Sequence, residues 1–137
     1  MKSITLANVK NKTVLLRVDF NVPLKNGRVV DNKRIKESLP TIKYLLNKNA
    51  KIILVSHLGR PDGKFVKELT LAPVAKEVGK FLNRKVPVVN IQEDIKETLR
   101  NYEILFLENI RFYPEEEKND LKFAKKLASL ADIYVND

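Results

Sequence analysis

Polar residues follow four of the apolar runs of this chain, each at the point where the run ends. RVDFNVP, residues 17–23, closes the first run with an aspartate, an asparagine and a proline that cannot donate a main-chain hydrogen bond. SHLGRP at 56–61, LENIRF at 107–112 and YVND at 134–137 follow later runs. Open parallel sheets bind ligands outside the carboxyl ends of their strands, so these four segments are where chemistry is expected.

The side chains in these segments are suited to an oxyanion that also carries hydroxyl groups. Arg60 and Arg111 have planar guanidinium groups that match a phosphate or carboxylate with two parallel hydrogen bonds. His57 can supply a third cationic group. Asp19 and Asn21 do not attract a phosphate by charge, so we expect them to accept hydrogen bonds from hydroxyl groups.

Each of these residues, taken alone, also has a structural interpretation. Asp19 or Asn21 could bind nearby backbone in an Asx turn. An isolated arginine is usually a solvated surface charge, and a lone histidine is more often a structural hydrogen-bonding residue. Their convergence at one edge of a sheet favours a binding site. The same rim is extended by further polar residues, namely Ser56, Glu108, Asn109, Asn136 and Asp137.

Arg34 lies just before the apolar stripe of the first predicted helix. A cation is slightly unfavourable at the N-terminus of a helix, where the helix dipole favours an acidic residue. That unfavourable placement hints at a functional role. The alternative is a solvated charge in the first turn, beside Lys33 and Lys36.

The elements that must position these residues alternate along the chain. Runs rich in Val, Ile and Leu, apolar on both faces as buried parallel strands are, predict strands at 12–20, 51–58, 86–90, 103–109 and 132–137. Helical patterns lie between them. We therefore predict an α/β protein with a three-layer α/β/α open parallel sheet, Rossmann-like, with helices on both faces.

The helices are predicted from apolar residues three and four positions apart. The stripes are Ile35, Leu39, Ile42, Leu45 and Leu46; Leu71, Val74, Ala75, Val78 and Leu82; a short one in 91–101 with Ile95 and Leu99; and Leu121, Ala124, Leu127 and Ala128. Pro40 falls inside the first stripe and predicts either a kink or a late helix start.

Composition narrows the class of protein. The 137 residues, 44% of them hydrophobic, suit one globular domain. The chain has no cysteine and one histidine, which excludes disulfides and argues against a zinc or haem site. No apolar run approaches the roughly 20 residues of a membrane span, so a cytoplasmic protein is expected. The formal charge of +9 indicates an anionic partner: nucleic acid, an acidic lipid surface or a phosphorylated metabolite.

Five segments, in order and spacing, resemble the N-terminal domain of the phosphoglycerate kinase family. They are RVDFNVP at 17–23, KRIKESLPTIKYLL at 33–46, SHLGRP at 56–61, LENIRFYPEEE at 107–117 and YVND at 134–137. The resemblance implies that residues 1–137 are part of the 3-phosphoglycerate-binding domain of a two-domain kinase, with the C-terminal nucleotide-binding domain absent. It also implies a strand order of 3-4-2-1-5, numbering the predicted strands along the chain.

The resemblance also implies roles for individual residues. The family transfers a phosphoryl group reversibly between 1,3-bisphosphoglycerate with ADP and 3-phosphoglycerate with ATP, in glycolysis. Arg34 matches the catalytic arginine that contacts the substrate carboxylate and steadies the phosphoryl group in transit. The substrate-binding residues would be Asp19, Phe20, Asn21, Arg34, His57, Leu58, Gly59, Arg60 and Arg111.

The nucleotide is expected to bind elsewhere in the full-length enzyme. The four glycines form neither GxxxxGK[ST] nor GxGxxG, so Mg and ATP or ADP are assigned to the missing domain, and no metal or cofactor is expected on this chain. This chain alone is then expected to bind 3-phosphoglycerate or 1,3-bisphosphoglycerate without catalysis. We also expect self-association, because the strand at 132–137 would be an unpaired sheet edge.

Two other classes of protein share some of these features. A haloacid-dehalogenase-like phosphatase needs a second carboxylate where this chain has Asn21, so its general acid is missing. A stand-alone anion-binding or nucleic-acid-binding module would suit the +9 charge. The chain shows no aromatic-rich strand for stacking bases, so nucleic acid is not expected as a partner. It has no apolar run long enough for a membrane span, so a membrane is not expected either.

Overall fold

The computed structural model describes residues 9–21, 24–25, 28–56, 70–90, 93–108, 125 and 128–136. Its strands and helices alternate much as the apolar runs predict. In chain order they are β1 (Thr13–Arg17), β2 (Leu24–Lys25), β3 (Arg28–Val29), α1 (Lys33–Asn47), β4 (Lys51–Val55), α2 (Ala72–Leu82), β5 (Val88–Val89), α3 (Ile95–Asn101), β6 (Ile104–Leu107) and β7 (Ile133–Asn136).

Five of the strands form one parallel sheet in the order β5-β6-β4-β1-β7. This order confirms the predicted 3-4-2-1-5 arrangement. The register aligns the apolar strand centres, with Leu15 opposite Ile53 and Ile53 opposite Leu105. The parallel register also brings the carboxyl ends of β1, β4 and β6 to the same edge.

The two faces of the sheet are covered by different helices, which confirms the three-layer architecture. Successive strand residues point to opposite faces. One face packs under α1 and α2 and includes Val14, Leu16, Ile52, Leu54, Ile104 and Phe106. The other packs under α3 and includes Leu15, Ile53, Val55, Leu105 and Leu107. Both faces are therefore apolar, as the continuous apolar runs predicted.

The strands are shorter than the sequence runs that predicted them. β1 stops at Arg17, although the Val18 amide still donates to the Val55 carbonyl at 2.9 Å. Beyond it, the Phe20 amide donates to the Ser56 hydroxyl at 3.0 Å, so a side chain replaces the next main-chain partner and the ladder ends. The predicted strand ends at 58, 109 and 137 lie outside the described residues.

Helix α1 runs through Pro40, so the prediction of a late start was wrong. Proline removes one main-chain donor from a helix interior and normally kinks or breaks the helix. Here Leu39 and Ile42, on either side of the proline, are both buried in the core. Tertiary packing of the apolar stripe thus holds the helix together across the proline.

A short hairpin, β2 with β3, was not predicted. Leu24 pairs with Val29 and Lys25 with Arg28 in antiparallel register. The dipeptide Asn26-Gly27 between them is a common two-residue hairpin sequence and was the signal available. Of the last predicted helical stripe, Leu121, Ala124 and Leu127 lie outside the described residues, whereas Ala128 is in a helical position.

The ends of α2 and α3 are defined by local hydrogen bonds. The Asp94 side chain accepts a hydrogen bond from the Glu97 amide at 3.0 Å, which caps α3 and explains why the helix begins after residue 91. Helix α2 ends at Leu82, and the residue that follows it, Asn83, has a left-handed φ of 54°. A Cβ atom on Gly79 would lie 2.6 Å from the Arg84 carbonyl oxygen, so this close return of the chain requires glycine.

No helix among the described residues is both long enough and apolar enough to cross a lipid bilayer.

Candidate functional site

Three of the predicted site residues meet just beyond the carboxyl end of β1. Nη1 of Arg34 donates to Asp19 Oδ1 at 3.1 Å and to the main-chain carbonyl of Asn21 at 2.9 Å. The Asp19 carboxylate also accepts a hydrogen bond from the Asn21 amide at 3.3 Å. The local Asx turn considered as a structural interpretation is therefore present, and it coexists with the contact to Arg34.

Ser56 fixes this segment relative to the neighbouring strand. Its hydroxyl is 1% exposed and accepts the hydrogen bond from the Phe20 amide, across the ends of β1 and β4. A buried hydroxyl needs such a partner, because leaving it unsatisfied costs about 1–3 kcal/mol. Ser56 therefore positions Asp19 and Asn21 on either side of Phe20.

The side chain of Phe20 belongs to the core. It is fully buried, and its ring centre lies 5.9 Å from that of Phe106 in a tilted arrangement. Its predicted substrate role stays a prediction, and the side chain itself is occupied with packing. Side-chain exposure alternates along this segment: Asp19 is exposed, Phe20 is buried, and Asn21 is half-buried.

The ion pair between Arg34 and Asp19 is too exposed to hold the fold together. The two side chains are 51% and 64% exposed, and exposed ion pairs typically contribute 0–1 kcal/mol. Arg34 is the second residue of α1, whose first turn contains Lys33 and Lys36 but no acidic residue. The helix dipole and these cations together make the electrostatic potential at the N-terminus of α1 positive, which suits an anionic ligand.

Beside this cluster lies a small open pocket of about 240 Å³, lined by Asp19, Arg34, Glu37 and Ser38. Glu37 and Ser38 were not predicted from the sequence. They follow Arg34 by three and four positions on α1, which is the spacing of neighbours on one helix face. That spacing was the available signal, once Arg34 had been singled out.

Glu108, at the carboxyl end of β6, has a different role from the residues at the end of β1. Its carboxylate accepts hydrogen bonds from the Thr70 hydroxyl at 2.7 Å and from the Leu71 amide at 2.9 Å. Leu71 is the N-cap residue of α2, so Glu108 satisfies a main-chain donor at the start of that helix. Through these hydrogen bonds Glu108 links the carboxyl end of β6 to the start of α2.

The remaining predicted site residues are His57, Leu58, Gly59, Arg60 and Arg111, and all five lie outside the described residues. Asn136 is the last residue of β7 and is aligned with Arg17 of β1. Among the residues that the structure describes, no three His, Asp or Glu side chains converge in a way that could hold a metal ion.

Comparison with known proteins identifies the family. The family model described as phosphoglycerate kinase matches residues 4–137. The phosphoglycerate kinase of Dictyoglomus turgidum is 58% identical over 95% of this chain and 34% of its own length. That of Moorella thermoacetica is 56% identical over 100% of this chain and 37% of its own length. The chain thus spans about a third of the length of these curated relatives.

Solved structures agree in fold as well as in sequence. The phosphoglycerate kinase from Coxiella burnetii has a TM-score of 0.86 and 40% identity, covering 98% of this chain and 34% of its own. The phosphoglycerate kinase from Pyrococcus horikoshii has a TM-score of 0.84 and 33% identity, covering 100% of this chain and 36% of its own. This chain belongs to the phosphoglycerate kinase family.

Proposed function

We propose that this chain supplies the 3-phosphoglycerate-binding side of a phosphoglycerate kinase. The full-length enzyme would transfer a phosphoryl group reversibly between 1,3-bisphosphoglycerate with ADP and 3-phosphoglycerate with ATP, in the cytoplasm as part of glycolysis. The observation that carries the proposal is the convergence of Arg34 with Asp19 and Asn21 beyond the carboxyl end of β1. Residues 1–137 would then be part of the N-terminal domain.

In this proposal the substrate's carboxylate and hydroxyl groups bind at the end of β1. The side chains of Asp19 and Asn21 would accept a hydrogen bond from the substrate's hydroxyl group or contact the end of the substrate that carries its carboxylate. Arg34 uses Nη1 for both of its hydrogen bonds to the protein, and guanidinium has five N–H donors in total. Its other donors can therefore engage the substrate carboxylate while Asp19 and the Asn21 carbonyl hold the group in place.

The phosphate of the substrate is assigned to a basic patch in the segments that follow β4 and β6. By resemblance to the family, the phosphate would be bound by His57, Arg60 and Arg111. Leu58 and Gly59 would line the same site. Charge-assisted hydrogen bonds to a phosphate contribute about 1.5–3 kcal/mol each. Loss of one arginine would therefore weaken binding by roughly tenfold or more.

Arg34 would also act on the transferred group. Charge in phosphoryl transfer is spread over the equatorial oxygens, and a positioned arginine in other phosphoryl-transfer enzymes is worth roughly 10³–10⁵ in rate. In our proposal a C-terminal domain outside this chain would bind the Mg-nucleotide, which would serve as donor or acceptor of the phosphoryl group. On its own the chain would bind substrate and show no turnover.

The direct test is calorimetric titration of 3-phosphoglycerate into the purified 137-residue chain. We expect binding that Arg34→Ala weakens about tenfold, and Arg100→Ala should bind like the original chain. Arg100 is the matched control because it is an exposed arginine on α3, paired with Glu97 at 2.8 Å. It lies at the opposite edge of the sheet, where it lines a pocket with Thr13 and Lys51, the first residues of β1 and β4. Equal affinity of the original chain and Arg34→Ala would refute the assignment of Arg34.

The second candidate is a stand-alone anion-binding module without catalysis, which the charge of +9 favours. It differs from the first in selectivity. A kinase substrate site should bind 3-phosphoglycerate much more tightly than inorganic phosphate or sulfate, because the hydroxyl and carboxylate contacts are added. Equal affinity for all three anions would support the second candidate over the first.

Self-association through β7 is a further part of the proposal. Within the described residues β7 pairs with β1 alone, and its Tyr134 is 55% exposed. A sheet edge of this kind is a template for pairing with a second copy, although the charge of +9 opposes close approach at low salt. Light scattering across protein and salt concentration should show a dimer that Tyr134→Lys weakens, and a strictly monomeric chain would contradict this part.

A further inference from the structure

A groove of about 490 Å³ lies between helix α2 and the edge strand β5. It is three strands away from β1 in the sheet order, so it is separate from the substrate-binding cluster. Its floor is formed by small or aliphatic residues of the helix and of the strand segment, namely Ala72, Ala75, Gly79, Val86, Pro87 and Val88. We call it the α2/β5 groove.

The strand side of this groove presents main-chain groups to the outside of the sheet. The amides of Phe106 and Glu108 donate to the carbonyls of Pro87 and Val89, both at 2.8 Å. Main-chain groups of successive strand residues point to opposite edges, so the N–H and C=O of Val88 point away from β6. Within the part of the chain that the structure describes, no strand pairs with that side of β5.

The helix side and the far end of the groove are basic. Lys76 and Lys80 of α2 and Lys85 before β5 are exposed and line the groove. None of the three forms an ion pair with a described carboxylate. Arg84 lines the groove too, but its guanidinium is already paired with Glu103. Three lysines thus border an apolar floor next to an open strand edge.

We propose that the α2/β5 groove binds an extended acidic peptide segment of a partner protein, which adds a strand to β5. Strand addition takes its affinity from main-chain hydrogen bonds and its specificity from pockets for alternate side chains. In an extended peptide, side chains alternate between two faces. Aliphatic residues on one face would fill the groove, while acidic residues would meet Lys76, Lys80 and Lys85.

The observations favour this occupant over two others. A second copy of the chain would offer its edge strand β7, and the residues of β7, Ile133–Asn136, include no acidic side chain to meet the three lysines. Single-stranded nucleic acid would match the lysines, but it usually stacks its bases on aromatic rings, and the floor of this groove has none.

The test uses a fluorescein-labelled peptide of eight residues that alternates valine and glutamate, with fluorescence polarisation as the readout. The 137-residue chain should bind it, and the double variant Lys76→Glu/Lys80→Glu should bind it about tenfold more weakly or worse. Both lysines are exposed on α2, and circular dichroism should show an unchanged fold. The charge-matched control is Lys43→Glu/Lys96→Glu, at exposed positions on α1 and α3, which should bind within twofold of the original chain.

Two altered probes separate strand addition from simple charge attraction. A peptide alternating serine and glutamate keeps the charge but loses the apolar face, and a peptide N-methylated at alternate residues loses one row of main-chain donors. Both should bind at least tenfold more weakly. Equal weakening in the two double variants, undiminished binding of either altered peptide, or tighter binding of a labelled single-stranded oligonucleotide at the same lysines would overturn the proposal.

Discussion

An acidic residue follows each of the strands β1 and β6. The two residues have equivalent positions in the sequence, but they form different kinds of contact in the structure. Asp19, after β1, contacts Arg34 at 3.1 Å in an exposed cluster beside an open pocket. Glu108, after β6, is part-buried and binds the Thr70 hydroxyl and the Leu71 amide at the start of α2. Asp19 therefore stays a candidate for ligand binding, whereas Glu108 links the end of β6 to the start of α2.

The contrast between Asp19 and Glu108 predicts that substitutions in the two regions affect different properties, ligand binding in one and stability in the other. Changing the exposed cluster should alter binding and leave the free energy of unfolding nearly unchanged. Changing Glu108, or the buried residue between the two exposed ones, should lower stability first.

The largest effect is expected from Phe20→Ala, in the middle of the segment that we propose binds the substrate. The ring is fully buried against Phe106, and truncating a buried phenylalanine to alanine costs about 3–5 kcal/mol. Urea unfolding should show a loss of this size. A loss below about 1 kcal/mol would mean that Phe20 is not a core residue, and the contrast with its neighbours would then fail.

Glu108→Gln should have the second largest effect on stability. The glutamine keeps the shape and one acceptor oxygen but loses the charge that strengthens both hydrogen bonds, so we expect unfolding to become easier by about 1–2 kcal/mol. The matched control is Glu103→Gln, since that exposed carboxylate pairs with Arg84 at the surface and should change stability by less than about 0.5 kcal/mol. Equal losses in the two variants would remove the special role of Glu108.

Asp19→Asn should show the opposite profile. The side chain is 64% exposed, so we expect a change in stability below about 0.5 kcal/mol. Affinity for 3-phosphoglycerate should fall roughly tenfold, because the asparagine no longer offers a charged acceptor to the substrate hydroxyl and holds Arg34 less firmly. An unchanged affinity measured by calorimetry would leave Asp19 with its local turn as its only role.

The smallest effect is predicted for Ser38→Ala, at the wall of the same pocket. Ser38 is 8% exposed, so the substitution keeps the packing and should change stability by less than about 1 kcal/mol. Affinity for 3-phosphoglycerate should change by no more than about threefold, because none of the substrate contacts proposed above involves this hydroxyl. A tenfold loss would extend the binding cluster further along α1 than we propose.

Much of the fold could be predicted because the information for it is local. The five parallel strands and α1 to α3 follow from apolar periodicity, and the strand order follows from the resemblance to a known family. Of the two alternatives predicted for Pro40, a kink or a late start, the late start does not occur, because burial of Leu39 and Ile42 outweighs the local effect of the proline. The β2–β3 hairpin has only two residues in each strand, too few for periodicity to reveal.

The site was predictable only in part, because a residue's type does not say where its hydrogen bonds go. Asp19, Asn21 and Arg34 are in contact although up to 15 positions of the chain separate them, and their role in binding stays a prediction. The partner of Glu108 lies 38 positions away, and nothing local distinguishes it from a ligand-binding carboxylate. Glu37 and Ser38 were missed because their relation to the site depends on how α1 faces β1.

One measurement tests the central claim most directly: the rise in melting temperature that saturating 3-phosphoglycerate causes in the original chain, in Glu108→Gln and in Arg34→Ala. A ligand at 100 times its Kd stabilises the folded state by about 2.7 kcal/mol, and the rise appears only where binding survives. With the ligand at 100 times the Kd of the original chain, we predict the same rise for the original chain and Glu108→Gln. Arg34→Ala should show about half that rise, because tenfold weaker binding leaves a stabilisation of about 1.4 kcal/mol. A full rise in Arg34→Ala together with its loss in Glu108→Gln would contradict the account.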